Sequence, residues 1–193
     1  MFVYSQWEKF CKNLKENGVN SVPAATVKKR QETPFLILKH DVETNPAKAL
    51  NILKKIQELG HEVSYPHDVM DNNKGDLEKA EKEFRENIDL FKDNGFTIET
   101  VCQHGNPVIE RKGYNSNRDF FRDKVIAQTF NHISEIMVDF KNRINVDYKY
   151  ISDAGYGWKI IYDPENNDVI NSSDKDINIE NLDNILNLIK SEN

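Results

Sequence analysis

The sequence contains no long hydrophobic run and no surplus of positive charge, and these two absences exclude whole classes of protein. No apolar stretch approaches the roughly 20 residues that a helix needs to cross a bilayer. The net charge is -6, and the lysines are scattered among glutamates instead of forming the basic stripe that a nucleic-acid surface requires. A basic segment followed by an apolar one is also absent near residue 1. We therefore expect a cytoplasmic protein that neither spans a membrane nor binds nucleic acid.

Cysteine is scarce as well, because the 193 residues include only Cys11 and Cys102. The two residues lie far apart and lack the Cys-x-x-Cys spacing of metal and redox motifs, so we interpret both as reduced core thiols. The length suits one domain spanning residues 1–193. A content of 38% hydrophobic and 30% charged residues is typical of a polar globular protein.

The most informative stretch is residues 34–43, in which a short apolar run leads into polar side chains. Residues 35–38 are predicted to form a short buried strand. The strand is followed at once by His40, Asp41 and Glu43. Alternate residues of an extended backbone point the same way, so Asp41 and Glu43 are predicted to share one metal ion or one reaction centre.

The remaining chain alternates between predicted strands and helices. Helices are predicted over residues 5–18, 47–59, 76–94 and 179–189, and strands over residues 61–65, 96–102, 148–151 and 158–162. Residues 120–140 contain a helix that the pattern does not separate from a further strand. This alternation favours an α/β fold with a mainly parallel sheet, either closed into a barrel or left as an open layer.

Polar side chains follow four of the predicted strands. The residues concerned are Asp41 with Glu43, His67 with Asp68, His104, and Asp153. The carboxyl ends of parallel strands gather at one edge, where α/β proteins place their chemistry. The pattern predicts a metal or acid–base site there, and the alternative is a set of loop residues without a common site.

Four motifs carry a resemblance to a known family. They are residues 38–43 (Leu-Lys-His-Asp-Val-Glu), 60–63 (Gly-His-Glu-Val), 104–107 (His-Gly-Asn-Pro) and 150–155 (Tyr-Ile-Ser-Asp-Ala-Gly). In this order they resemble the polysaccharide deacetylase superfamily, the NodB-homology enzymes of carbohydrate esterase family 4. The WbmS-like branch, associated with surface-polysaccharide and lipopolysaccharide biosynthesis, is the most similar. The resemblance implies a distorted (β/α) barrel and a divalent metal, commonly zinc, that helps to hydrolyse N-acetyl or O-acetyl groups on sugars.

The resemblance also implies roles for individual residues. Asp41 takes the position of the general base, and Glu43 takes that of a metal ligand. His67, Asp68 and His104 are the further expected metal ligands. His40, Asn106 and Asp153 are expected to contact the substrate, an acylated sugar or polysaccharide precursor, with His40 orienting Asp41.

The chain departs from the family pattern in two places. Pro66 stands where a ligand histidine is expected, His67 comes one residue late and so faces the other side of a strand, and Asp68 regains the original side. A single helix separates the first motif from the second, so one βα unit of the barrel is predicted to be missing. Two hypotheses follow: a metal-dependent carbohydrate deacetylase, or a catalytically inactive relative that binds carbohydrate or a protein partner.

Overall fold

A computed structural model describes residues 4–29, 36–39, 41, 46–105, 109–142, 150–152, 159–161 and 179–191. Its helices are α1 (Tyr4–Glu16), α2 (Pro46–Glu58), α3 (Val69–Asn72), α4 (Leu77–Asp93), α5 (Asp119–Arg122), α6 (Lys124–Thr129), α7 (Ile136–Asn142) and α8 (Leu182–Ser191). Its strands are β1 (Tyr65–His67), β2 (Thr100–Gln103), β3 (Ser134–Glu135), β4 (Tyr150–Ser152) and β5 (Lys159–Ile161), and residues Ala24–Lys29 form a 3-10 helix. Among the described residues, no helix is both long enough and apolar enough to cross a lipid bilayer.

Strands β1, β2 and β3 form a parallel sheet in that order. Tyr65 lies opposite Val101, His67 lies opposite Gln103, and Val101 in turn lies opposite Glu135. Helices α3 and α4 connect β1 to β2, and α5 and α6 connect β2 to β3. All three strands therefore end at one edge, which we call the carboxyl edge. The predicted α/β class with parallel strands is confirmed, whereas the described part of the sheet is open and the complete barrel stays a prediction.

The second sheet is a small antiparallel pair. Tyr150 lies opposite Ile161, and Ser152 lies opposite Lys159. Strands were predicted at both places, and both are confirmed. Within the described residues, this pair is a separate sheet from β1–β3.

The long helices follow the apolar periodicity of the sequence. Helices α1, α2, α4 and α8 lie where they were predicted. In α4, the Asp76 side chain caps the first turn by accepting a hydrogen bond from the Lys79 backbone N–H at 3.1 Å. Ala80 and Phe84 are buried on one face of this helix, as its apolar stripe predicts.

Three predicted strands differ from the structure. The strands predicted over residues 61–65 and 96–102 begin later, at Tyr65 and Thr100. Residues 36–38 form no strand in the described chain, because Leu36 makes only an isolated parallel bridge with Ser21. Leu36 and Leu38 pack against a cluster of apolar residues from α1 and α8, whereas Ile37 packs against a different cluster. Alternate side chains of the segment therefore contact different clusters. A run of apolar residues indicates that both sides of a segment pack against other residues. It does not indicate strand pairing, because pairing depends on a partner elsewhere in the chain.

The main core lies between the sheet and helices α4 to α6. Phe84 is fully buried at its centre, and its ring centroid lies 5.0 Å from that of Phe120, 5.4 Å from that of Phe121 and 4.9 Å from that of Phe130. Aromatic pairs at these separations contribute beyond the area that they bury. The parallel sheet is thus held against its helices by a cluster of aromatic rings.

Replacing Phe84 with alanine is expected to destabilise the protein by about 3–5 kcal/mol, because a fully buried ring is lost and a cavity remains. Urea unfolding followed by circular dichroism measures the change. Leu90→Ala on the same helix is the matched control, since Leu90 is 61% exposed and its loss should cost less than about 1 kcal/mol. Equal losses in the two variants would contradict the assigned core.

Candidate functional site

The carboxyl edge brings together residues that the sequence places far apart. Strand β1 ends at His67 and is followed by Asp68, whereas β2 ends at Gln103 and is followed by His104. The backbone N–H of His104 donates a hydrogen bond to the carbonyl of His67 at 2.7 Å, which continues the pairing one residue past β2. Asp68 and His104 are therefore neighbours at the edge of the sheet.

His67 belongs to the core and not to the exposed side of this edge. It shares a face with Tyr65, and its ring lies 5.9 Å from that of Phe84 and 5.6 Å from that of Phe121. The residue is fully buried, and neither ring nitrogen has a hydrogen-bond partner among the described residues. Burial, with the Arg118 cation acting in the same direction, lowers the pKa of His67 to about 3. The imidazole is therefore neutral at physiological pH.

Asp68 and His104 lie at the same edge as His67 but outside the aromatic core. The Asp68 carboxylate accepts a hydrogen bond from the Asn72 amide at 3.0 Å, and the same amide donates to Glu83 at 2.8 Å. Burial raises the pKa of Asp68, Glu83 raises it further, and His104 acts in the opposite direction. Asp68 is half-buried and His104 is exposed. The two side chains thus interact electrostatically where solvent or a ligand reaches them.

Lys39 forms an ion pair with Asp41. Its ammonium lies 3.1 Å from the Asp41 carboxylate, and Cys102 in β2 also acts on it electrostatically. Burial acts to lower the pKa of Lys39, but Cys102 and Asp41 outweigh it and hold this pKa above its usual value. Burial raises the pKa of the Cys102 thiol, with Lys39 opposing the shift. Asp41 and Cys102 thus both act electrostatically on Lys39.

A buried ionic network fixes the loop that follows β2. The Asp71 carboxylate accepts two hydrogen bonds from the Arg111 guanidinium at 2.8 and 2.9 Å and one from the Tyr114 hydroxyl at 3.0 Å. The Asn117 amide donates to Asp71 at 2.8 Å and to the His104 carbonyl at 2.9 Å. Burial acts to raise the pKa of Asp71, but these donors outweigh it and the pKa is lowered. The network therefore holds the chain beyond His104 against α3.

Glu135 ties the third strand to the edge. Its carboxylate accepts hydrogen bonds from the backbone N–H of Gln103 at 3.2 Å and of Val138 at 2.6 Å. The Asp139 carboxylate in turn accepts from the N–H of Glu135 at 3.0 Å. This reciprocal arrangement caps the start of α7. Burial raises the pKa of Glu135, and its bonding indicates a structural role.

The predicted site residues have different outcomes. Asp68 and His104 come together at the carboxyl edge, and Asp41 forms an ion pair with Lys39. His67 faces the aromatic core instead. Four further predicted residues, His40, Glu43, Asn106 and Asp153, lie outside the described residues.

The donor types at the edge fit a divalent metal in part. An aspartate oxygen and a histidine nitrogen are ligands that zinc accepts, and Asp68 and His104 supply one of each. His67 does not fit, because its ring contacts aromatic side chains and Arg118 is the charge that acts on it. In the part of the chain that the structure describes, no three His, Cys, Asp or Glu side chains are grouped so as to hold an ion.

Several residues of the edge were not predicted. Asp71, Lys39, Arg111 and Asn117 were not among the expected site residues. Lys39 lies inside the motif of residues 38–43, but Arg111 and Asn117 lie outside the motifs and act through Asp71, which is distant along the chain. Asn117 is fully buried, which its polar surroundings in the sequence do not indicate.

Comparisons of the chain with family models, with curated proteins and with solved structures found no match. The resemblance to the polysaccharide deacetylase superfamily therefore stays a prediction from the motifs in the sequence.

Replacing Asp71 with alanine is expected to cost about 3–5 kcal/mol, because the largely buried Arg111 guanidinium loses its bidentate partner. Chemical denaturation measures the loss. The control is Glu81→Ala, which removes an exposed ion pair with Arg85 and should cost no more than about 1 kcal/mol. A cost for Asp71→Ala as small as the control's would show that the network contributes little to stability.

His67 is expected to make the protein sensitive to mild acid. Between pH 6.5, the ordinary pKa, and about pH 3, the unfolded chain binds a proton that the folded chain excludes. This contribution to stability is complete above the upper value and is lost as the pH falls, by a few kcal/mol in total. His67→Phe should flatten the dependence of the unfolding free energy on pH between about 6.5 and 4.5, whereas His132→Phe, at an exposed position, should not. An unchanged slope in His67→Phe would contradict the neutral, buried imidazole.

Proposed function

We propose that this protein is a deacetylase-like hydrolase that removes an acyl group from a sugar in surface-polysaccharide metabolism, with the help of a divalent metal. The observation that supports the proposal is the interaction of Asp68 with His104 just beyond the ends of β1 and β2. Asp41 forms an ion pair with Lys39, on which Cys102 of β2 also acts electrostatically. Carboxylates and an imidazole beside the carboxyl end of a parallel strand are suited to acid–base and metal-assisted chemistry.

In this proposal each residue has a defined role. Asp41 is the general base that takes the proton of the attacking water. Glu43, Asp68 and His104 would hold the ion, for which zinc is the metal that the motifs imply. When bound, the ion lowers the pKa of a water ligand and polarises the acyl carbonyl. His67 is left out of the ligand set because of its place in the aromatic core.

The acylated sugar would be bound beside these groups. His40, Asn106 and Asp153 keep their proposed role as substrate contacts on the strength of the motifs alone. The network around Asp71 supports the chain at His104 and at Arg111, since Asn117 is bonded to the His104 carbonyl and Arg111 to Asp71. A rigid support of this kind favours a defined position for His104.

A second candidate function is a binding module of the same family without catalysis. The observation that favours it is Pro66, which lies opposite Cys102 in the register of β1 and β2 at the place of a family ligand. Proline offers no atom that binds a metal. The neighbouring His67 faces away from this side, so the family's histidine ligand has no direct substitute on β1.

The test combines zinc binding with acyl release. Zinc at about 100 times its dissociation constant should raise the melting temperature by about 5–10 °C, because it binds only the folded state. His104→Gln should shrink this rise, whereas His132→Gln, at an exposed position away from the sheet edge, should keep it. Acetate release from acetylated oligosaccharides should fall at least about 100-fold in Asp41→Asn, with the melting temperature unchanged.

The outcomes separate the two functions. Zinc stabilisation with acetate release that depends on Asp41 supports the hydrolase. Absence of both, together with stabilisation by the oligosaccharide alone, supports the binding module. Acetate release that is unaffected by Asp41→Asn overturns the assignment of the base.

A further inference from the structure

Asn72 joins two carboxylates that lie on different elements of the fold. Its side-chain amide donates hydrogen bonds to the carboxylate of Asp68 at 3.0 Å and to that of Glu83 at 2.8 Å. Asp68 directly follows β1 at the carboxyl edge, whereas Glu83 lies on α4, a helix that packs in the main core. The amide of Asn72 therefore links a residue of the candidate site to the core of the protein.

We propose that Asn72 is a positioning residue that holds the Asp68 carboxylate in place at the carboxyl edge, with Glu83 fixing the Asn72 amide from α4. The metal-binding part of this inference rests on the proposed hydrolase, in which Asp68 is a metal ligand. The positioning of the carboxylate itself rests on the hydrogen bonds of Asn72.

The backbone of α3 brings Asn72 beside Asp68. Residues four apart lie on one side of a helix, and the Asn72 N–H donates a hydrogen bond to the Asp68 carbonyl at 3.0 Å. Asp68 stands just before the first turn, where an aspartate commonly bonds the backbone of its own helix, but its side chain makes no such capping bond. Asn72 thus supplies a restraint on this carboxylate that the first turn of α3 does not.

Glu83 is itself held by α3 through both of its carboxylate oxygens. One oxygen accepts from Asn72, and the other accepts from the side-chain amide of Asn73 at 2.5 Å. The Asn73 amide also donates to the Val69 carbonyl at 2.9 Å. On the other side, the residue that follows Glu83 in α4 is the fully buried Phe84. Asn72 is therefore supported by a carboxylate that has a second partner and a backbone that is fixed by core packing.

The chemistry of a primary amide suits this task. Its nitrogen carries two N–H donors, so it can serve two carboxylates at once, and hydrogen bonds to charged acceptors are stronger than those between neutral groups. Burial raises the pKa of Asp68 and Glu83 raises it further, whereas the Asn72 amide acts in the opposite direction. The amide thus favours the ionised carboxylate, which is the form that binds a metal.

The first measurement tests these hydrogen bonds in the full chain without any metal. Nuclear magnetic resonance relaxation of the Asn72 side-chain amide should give an order parameter above about 0.6, the value below which a group is flexible. Glu83→Leu should lower this order parameter, because the amide loses one of its two acceptors. Glu81→Leu is the matched control and should leave it unchanged, since Glu81 lies on the same helix and pairs with Arg85 instead.

The second measurement is the affinity for zinc, followed by titration calorimetry. Asn72→Leu has a similar size but no N–H donors, and it should weaken zinc binding about 10- to 100-fold, as the loss of a partner of a metal ligand typically does. Asn72 is exposed, so the variant is expected to fold. Asn72→Gln keeps the amide and should recover most of the affinity. Asn94→Leu removes an amide that bonds the Leu90 carbonyl at the end of α4, and it should leave the affinity unchanged.

The outcomes separate this inference from the proposed function. An order parameter below about 0.6 for the wild-type Asn72 amide overturns the positioning role whatever the zinc affinity. An order parameter that is unaffected by Glu83→Leu overturns the part assigned to Glu83. Equal zinc affinities of the wild type and Asn72→Leu overturn the link from Asn72 to the metal. An ordered amide that depends on Glu83, in a protein whose wild type binds no zinc, confirms the positioning of the carboxylate and places the failure in the proposed hydrolase.

Discussion

The register of β1 against β2 is the constraint on which the rest of the carboxyl edge depends. With Tyr65 opposite Val101 and His67 opposite Gln103, the imidazole of His67 is committed to the aromatic core. The same register leaves Asp68 beside His104. A shift by one residue would exchange the two faces and bring a carboxylate into the core. The backbone pairing of β1 with β2 thus determines which side chains at the carboxyl edge face the core and which face solvent.

Local patterns in the sequence were sufficient for the helices and insufficient for the strands. Helix α4 could be predicted because its cap at Asp76 and its apolar stripe through Ala80 and Phe84 act within a few residues of one another. The starts of β1 and β2 could not, because a strand begins where a partner offers hydrogen bonds. Residues 36–38 illustrate the difference, since they alternate between two apolar clusters without a ladder. The predicted buried strand is thus a partly buried segment whose strand pairing is limited to one isolated bridge.

The sequence predicted those parts of the candidate site whose positions follow from the topology of the sheet. Parallel strands deliver their ends to one edge, and Asp68 and His104 meet there for that reason. Residues that reach the edge by side-chain contact escaped prediction. Arg111 and Asn117 both act through Asp71, which is distant from them along the chain. Such contacts exist only after folding, so the spacing of residues in the sequence does not predict them.

The network around Asp71 has a consequence for the turn between α3 and α4. Gly75 has a φ of +84°, and a Cβ at this position would lie 2.6 Å from the ring of Tyr114, whose hydroxyl is bonded to Asp71. Backbone conformation and the neighbouring ring therefore both select glycine. Although the turn is only half-buried, we expect position 75 to tolerate substitution as poorly as a position in the interior of the protein. A larger side chain at position 75 would therefore be strained in its backbone and would also collide with an aromatic ring from a loop that is distant in the sequence.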